Sequence, residues 1–138
     1  MKISEPTSDE IADYYHLRWK ILRKPLDLEK GTEKDDLENE SLHRVVKIDN
    51  QIIGVGRLHF IDDSKAQIRY MAVKDNFRGI GVGKLIVDEF VKISEKRNTK
   101  KIILYARESV IDFYKKLGFD IVREAHKLEN IQHFLMEK

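Results

Sequence analysis

Three glycines spaced two apart, Gly79, Gly81 and Gly83, lie between an apolar stretch with strand character, Met71-Ala72-Val73, and a stretch with helical spacing, Leu85 to Ile93. Glycine admits positive φ and lets a ligand approach the backbone. The apolar residues Ile86, Phe90 and Ile93 then share one face of the helix that follows. A helix start carries unpaired N–H groups and partial positive charge, so a glycine loop placed there is an anion cradle. The chemistry this stretch can do is to hold a phosphate.

Spacing decides among phosphate ligands. A P-loop has four residues between its first Gly and a Gly-Lys-Ser/Thr ending. Here Gly79 is too close to Gly83, and Leu85 follows Lys84 where a Mg²⁺-binding hydroxyl belongs. The dinucleotide fingerprint needs Gly-x-Gly-x-x-Gly and an acid about 20 residues on. The glycine spacing is wrong, and Thr99-Lys100-Lys101 offers no acid. Both nucleotide readings fail.

The same run, Arg78-Gly79-Ile80-Gly81-Val82-Gly83, resembles the pyrophosphate loop of the GNAT superfamily of N-acetyltransferases, Gln/Arg-x-x-Gly-x-Gly/Ala. A second stretch, Phe113-Tyr114-Lys115-Lys116-Leu117-Gly118-Phe119, is similar to that family's last helix and the strand after it. The resemblance covers the second half of the chain well and the first half loosely. It implies acetyl-CoA as cofactor and transfer of its acetyl group to an amine. Such a reaction needs a neutral amine, a polarised thioester carbonyl and a proton for the departing thiolate.

The resemblance assigns roles residue by residue. The main chain of Met71, Ala72 and Val73 holds the pantetheine arm and polarises the carbonyl. The loop Arg78, Gly79, Ile80, Gly81, Val82, Gly83 and Lys84 holds the pyrophosphate. Tyr114 matches the family tyrosine near the thioester sulfur, which contacts the cofactor and acts as general acid; read without the family, it is an aromatic packing residue beside Phe113. Arg107 stands where many members carry Asn, placed to meet a CoA phosphate or solvent.

The base is harder to read. Many members carry a Glu on the strand before the loop, but Gln67, Arg69 and Tyr70 occupy that strand here. Candidates are Glu33, Asp36, His43, His59 and His133, and of these His133 and Glu33 stand beside Tyr114 as catalytic candidates. A lone strand histidine is more often a packing or surface residue. No His-x-His or His-x-x-x-His spacing occurs and cysteine is absent, so no metal site is expected. Between Glu29 and Glu40 the chain is rich in acids and reads as a solvated charged loop, with attraction of a cationic amine as its functional alternative. Arg18 is suited to pair with that loop or with an acceptor carboxylate.

The elements that must position these residues follow from pattern. Thr7 and Glu10 form a capping-box pair opening a helix through about Leu22, stopped by Pro25. Val45 to Ile48, the turn Asp49-Asn50 and Ile52 to Phe60 make a hairpin signal. Gly54 and Gly56 inside the second strand predict a bulge or a close neighbour. Ala66 to Val73 is the third strand of a meander. Lys101 to Tyr105 is a buried strand, Ser109 to Leu117 a helix ended by Gly118, and two final strands follow at Phe119–Val122 and Gln132–Met136. The fold class is α+β: a mixed, mostly antiparallel sheet with helices on both faces, the GNAT fold.

The 138 residues suit one domain, 1–138. Hydrophobic content of 41% beside 36% charged residues describes a soluble globular chain. A net charge of +2 is too small to argue for nucleic acid or an anionic membrane. No apolar run spans a bilayer and Met1 to Pro6 lacks a signal core, so the expected compartment is the cytoplasm. The expected partner is a small-molecule or protein amine acceptor, and the chain a monomer or homodimer. An acyl-CoA-binding sensor without turnover is the alternative to the N-acetyltransferase.

Overall fold

A computed structural model describes residues 1–138. Strand β1 (Lys2–Ser4) is followed by helix α1 (Ile11–Leu22) and the strands β2 (Leu42–Ile48), β3 (Gln51–Asp62) and β4 (Lys65–Val73). Helix α2 (Val82–Lys96), strand β5 (Lys101–Arg107), helix α3 (Ile111–Lys116) and strands β6 (Asp120–Leu128) and β7 (Ile131–Glu137) complete the chain. The strands form one sheet in the order β1-β2-β3-β4-β5-β7-β6. Only the β4–β5 pair is parallel.

Local chemistry explains the elements. The Glu10 carboxylate accepts the Thr7 N–H at 3.0 Å, closing the capping box ahead of α1. Asp49 and Asn50 adopt φ of 50° and 64°, the left-handed pair a two-residue hairpin needs. Gly118 ends α3 at φ 95°. The last two strands, β6 and β7, run longer than their apolar cores suggest, because their pairing with each other and with β5 extends the ladder over polar residues.

Helices cover both faces, as the pattern predicts. On one face α2 buries Val82, Ile86, Val87 and Phe90 against Ile53, Leu58 and Ile68. Each such side chain contributes about 1.5–3 kcal/mol through burial. Gly54 and Gly56 are required here by close approach. A Cβ on Gly54 would lie 2.4 Å from a Val82 methyl, and one on Gly56 2.7 Å from Ile86 and 2.8 Å from the Met71 sulfur. On the other face α1 packs Tyr14 and Leu17 against Val45, Ile52, Val55 and Ala72.

Two irregularities in β4 shape the site. Opposite Gly56 the register with β3 steps from Val55↔Ala72 to Arg57↔Arg69, a bulge in which Tyr70 takes φ 57°. On its other edge β4 pairs with β5 only from Lys65↔Lys101 to Gln67↔Ile103. Beyond those pairs the strands part, and β5 continues against β7 instead. No helix is long and apolar enough to cross a membrane.

Candidate active site

The parting of β4 and β5 opens a cleft of about 860 Å³ through the sheet. Its walls come from the end of α1, the diverging halves of β4 and β5, the glycine loop with the start of α2, and α3. Main-chain groups of β4 past Gln67 have no ladder partner on this side. Backbone donors and acceptors therefore face a ligand-sized space, which is the physical requirement for binding an extended amide chain.

Met71, Ala72 and Val73 line this cleft, as the sequence predicts. So do Arg78, Gly79, Gly81, Val82, Gly83 and Lys84. Ile80 does not: its side chain is 52% exposed and turns away from the wall. Gly79 and Gly81 adopt φ of 80° and 94°, and a Cβ on either would meet nothing within 4 Å. Gly81 is the N-cap of α2, so its neighbours present the helix-start N–H groups to the cleft. Gly83 differs from Gly79 and Gly81. It lies inside the first turn of α2 with helical backbone, and it is small because Phe113 presses on it, 3.0 Å from where a Cβ would stand. A short 3₁₀ turn, Asp75–Phe77, also intervenes between β4 and the loop.

Tyr114 lines the cleft from α3, wedged edge-on between Phe113 and Phe119 at centroid distances of 4.9 and 5.9 Å. Burial raises its phenol well above the usual tyrosine value, and its hydroxyl donates to no protein acceptor. It is therefore a neutral O–H donor throughout the physiological range.

His133 on β7 also lines the cleft and is 8% exposed. Its Nδ1 lies 3.0 Å from the Ile131 carbonyl oxygen. That acceptor places the ring proton on Nδ1 and leaves the Nε2 lone pair free. Burial, helped by the charges of His126, Arg107 and Arg23, outweighs the Ile131 hydrogen bond and lowers its pKa below 6.5. A neutral imidazole with a free lone pair is the state a general base requires. Sequence reading missed His126, which sits on β6 and stacks on His133 across the β6–β7 pair. Only the tertiary register brings the two rings together.

Glu33 does not join them, and the reading of it as a catalytic group is corrected. It is 5% exposed, outside the cleft, and its carboxylate accepts the Gly31 N–H at 2.6 Å. It holds a turn. His43 is likewise engaged elsewhere: its Nδ1 is 2.6 Å from the Tyr14 hydroxyl and its Nε2 2.8 Å from the Glu38 carbonyl oxygen. Asp36 and His59 are not among the cleft walls. No three His, Asp or Glu side chains converge as metal ligands.

The acidic loop is solvated only in part: Glu29, Asp36 and Glu40 are exposed, whereas Asp35 and Glu38 are engaged by arginines. Glu38 accepts from Arg18 at 2.8 and 3.0 Å and from Arg57 at 2.9 Å, and Asp35 pairs with Arg57 at 2.7 Å and Arg69 at 3.0 Å. Arg18 and Arg57 are 0% and 1% exposed. Burial works against the Glu38 carboxylate, but the hydrogen bond from Arg18, the Asp35 N–H and the Arg57 charge prevail and hold its pKa down. Asp35 behaves alike: burial opposes its charge, and Arg57 with the Leu37 N–H keeps it well below the carboxylate range. Arg18 thus pairs with the loop, the first of its two expected partners. Tyr70 lies at the centre of this cluster, its ring centroid 3.7 Å from the Arg18 guanidinium carbon, 4.6 Å from Arg69 and 4.8 Å from Arg57.

Comparison with known proteins agrees with this architecture. Residues 8–119 match the sequence model of the acetyltransferase (GNAT) family. The uncharacterized N-acetyltransferase YjcF of Bacillus subtilis (strain 168) is 29% identical over 131 residues, covering 94% of this chain and 93% of that protein. Ard1 from Thermoplasma volcanium superposes with a TM-score of 0.83 at 24% identity, over 99% of this chain and 95% of that one. A GNAT family acetyltransferase from Elizabethkingia anophelis, with acetyl-CoA bound, superposes at 0.76 with 17% identity, over 99% and 95%. The splayed β4–β5 pair, the glycine loop capping α2 and the match over most of the chain place it together: the chain belongs to the acetyltransferase (GNAT) family.

Proposed function

We propose that the chain transfers the acetyl group of acetyl-CoA to the neutral amine of an acceptor by direct attack, with Tyr114 and His133 handling the protons. Family membership makes it an acetyltransferase drawing on acetyl-CoA and acting on amines. The observation that carries the finer reading is the cleft itself, which joins the glycine loop, Tyr114 and His133 in one space, with the Nδ1 of His133 engaged by the Ile131 carbonyl oxygen.

The residues fit the cofactor. The open backbone at Gly79 and Gly81, with the N–H groups that start α2, suits a pyrophosphate, and Arg78 and Lys84 add positive charge at the cleft wall. The unpaired edge of β4 at Met71, Ala72 and Val73 suits an amide-bearing arm. The thioester supplies the activated acetyl group. As the N–C bond forms and the C–S bond breaks, His133 Nε2 accepts the amine proton, and the Tyr114 O–H donates to the departing sulfur. With its pKa raised, Tyr114 stabilises the thiolate mainly as a hydrogen-bond donor, because complete transfer to a thiolate of pKa about 8.5 is uphill.

One observation favours a second reading, an acyl-CoA sensor without turnover: no Asp or Glu lines the cleft. Binding and turnover assays separate the two. Acetyl-CoA raises Tm by mass action while ATP and NAD do not, and CoA thiol is released when an amine panel is added. Equal stabilisation by ATP defeats the loop assignment, and binding with no thiol released over the whole panel establishes the sensor.

A further inference from the structure

Five cationic side chains and no carboxylate line the cleft. Arg78 and Lys84 belong to the glycine loop and have local partners, Asp75 at 3.2 Å and Asp88 at 2.6 Å. The other three, Arg23, Arg69 and Arg107, come from the end of α1, from β4 and from the end of β5. Arg23 donates only to carbonyl oxygens, those of Thr32 and Leu22. Arg107 has no ion-pair partner. Arg69 shares Asp35 with the buried Arg57, and Asp35 with Glu38 makes two carboxylates for the three guanidiniums of Arg18, Arg57 and Arg69.

This convergence is unfavourable without an anion. Burial lowers the pKa of Arg23, and despite a contribution from Tyr70 the charges of Arg69 and Arg107 lower it further. The same arginines also bear on His133: Arg107 and Arg23 are close enough to depress it. Tyr70, strained at φ 57°, holds two of the three in place, its ring centroid 4.6 Å from the Arg69 guanidinium carbon and 5.7 Å from that of Arg23. The acids that could have drawn a cationic acceptor, Asp35 and Glu38, are spent on Arg18, Arg57 and Arg69. The field at the acceptor side is therefore positive and pre-organised.

We propose that Arg23, Arg69 and Arg107 bind an oxyanion of the acceptor, so that the substrate is an amine carrying a carboxylate or phosphate a few bonds from its nitrogen, presented to His133. The assignment rests on the acetyl-transfer reading above. Planar guanidiniums match both oxyanions with paired N–H donors. It excludes polyamines, whose second ammonium would meet three arginines and no acid.

The test measures CoA thiol release from acetyl-CoA with a panel of L-amino acids, their carboxamides, matched aminoalkylphosphonates, and putrescine. Losing a charge-assisted hydrogen bond costs about 10- to 100-fold, so kcat/KM for the best oxyanion-bearing acceptor should exceed that of its carboxamide by this factor. The leading oxyanion, carboxylate or phosphonate, identifies the group. Arg107→Gln should narrow the same gap by about 10-fold; Arg69→Gln is the parallel variant, and the wild-type comparison needs none. Preference for the carboxamides or putrescine overturns the proposal with acetyl transfer intact. So does an Arg107→Gln chain that binds acetyl-CoA more weakly with its acceptor preference unchanged. Acetyl-CoA binding with no thiol released by any acceptor overturns both this proposal and the transfer reading.

Discussion

The imidazole of His133 lies flat on that of His126, centroids 4.8 Å apart and planes 14° from parallel. Two strands that pair antiparallel deliver one ring each, and the Ile131 carbonyl fixes the tautomer of His133. His133 is thus kept neutral by burial and by the charges around it.

The consequence is a pH profile. A histidine whose folded pKa is below 6.5 stays unprotonated at neutral pH, and the form that the proposed base role needs is lost as pH falls through that lowered value. The acid limb of kcat/KM should therefore lie below 6.5, and His126→Asn, which removes a neighbour that lowers it, should move the limb upward. His133→Gln should reduce kcat by about 10²–10⁴-fold. A limb unmoved in the His126 variant and a loss of only a few-fold in the His133 variant would assign the base elsewhere. The same linkage acts on stability: the unfolded chain protonates His133 and His43 first, so Tm declines as pH drops from 6.5 through their lowered values.

Tyr114→Phe keeps the ring between Phe113 and Phe119 and removes only the side-chain hydroxyl. Tm should be retained while kcat falls by about 100-fold or more, with little change in acetyl-CoA affinity. A two- or three-fold loss in single-turnover kinetics would make Tyr114 a packing residue.

Gly81→Val and Gly83→Val should both weaken acetyl-CoA binding, for different reasons. At Gly81 the space is open but φ is 94°, a conformation a β-branched residue resists. At Gly83 the backbone is helical and the obstacle is Phe113, a side chain able to rotate. Gly83→Ala should accordingly bind acetyl-CoA better than Gly81→Ala, as titration calorimetry would read. The reverse order would mean that the α2 cap is not what holds the cofactor.

Glu38→Gln removes the charge shared by Arg18 and Arg57, which are buried and would be left undercompensated. Breaking a buried pair this way costs about 3–5 kcal/mol, which lowers Tm by roughly 10 °C or more. An unchanged Tm would show that the loop's ion pairs merely decorate a fold held by its apolar core.

What the sequence determined by itself is what short-range chemistry encodes. The capping box at Thr7 and Glu10, the hairpin at Asp49-Asn50, the stop at Gly118 and the glycine loop before α2 each depend on a few adjacent residues, and each stands where the pattern puts it. The sheet with helices on both faces follows from those elements together with the family resemblance. What only the tertiary structure decided concerns residues whose partners are distant in the chain. Glu33 and His133 looked equivalent as candidate bases, yet one caps a turn and the other lines the cleft, because burial and register are properties of packing. Asp35 and Glu38 read as part of a solvated loop because nothing local reveals that Arg18, Arg57 and Arg69, from a helix and two strands, converge on them. The gathering of Arg23, Arg69 and Arg107 in one cleft was hidden for the same reason. A charge's function is set by the field of all its neighbours, and that field exists only once β4 and β5 have parted.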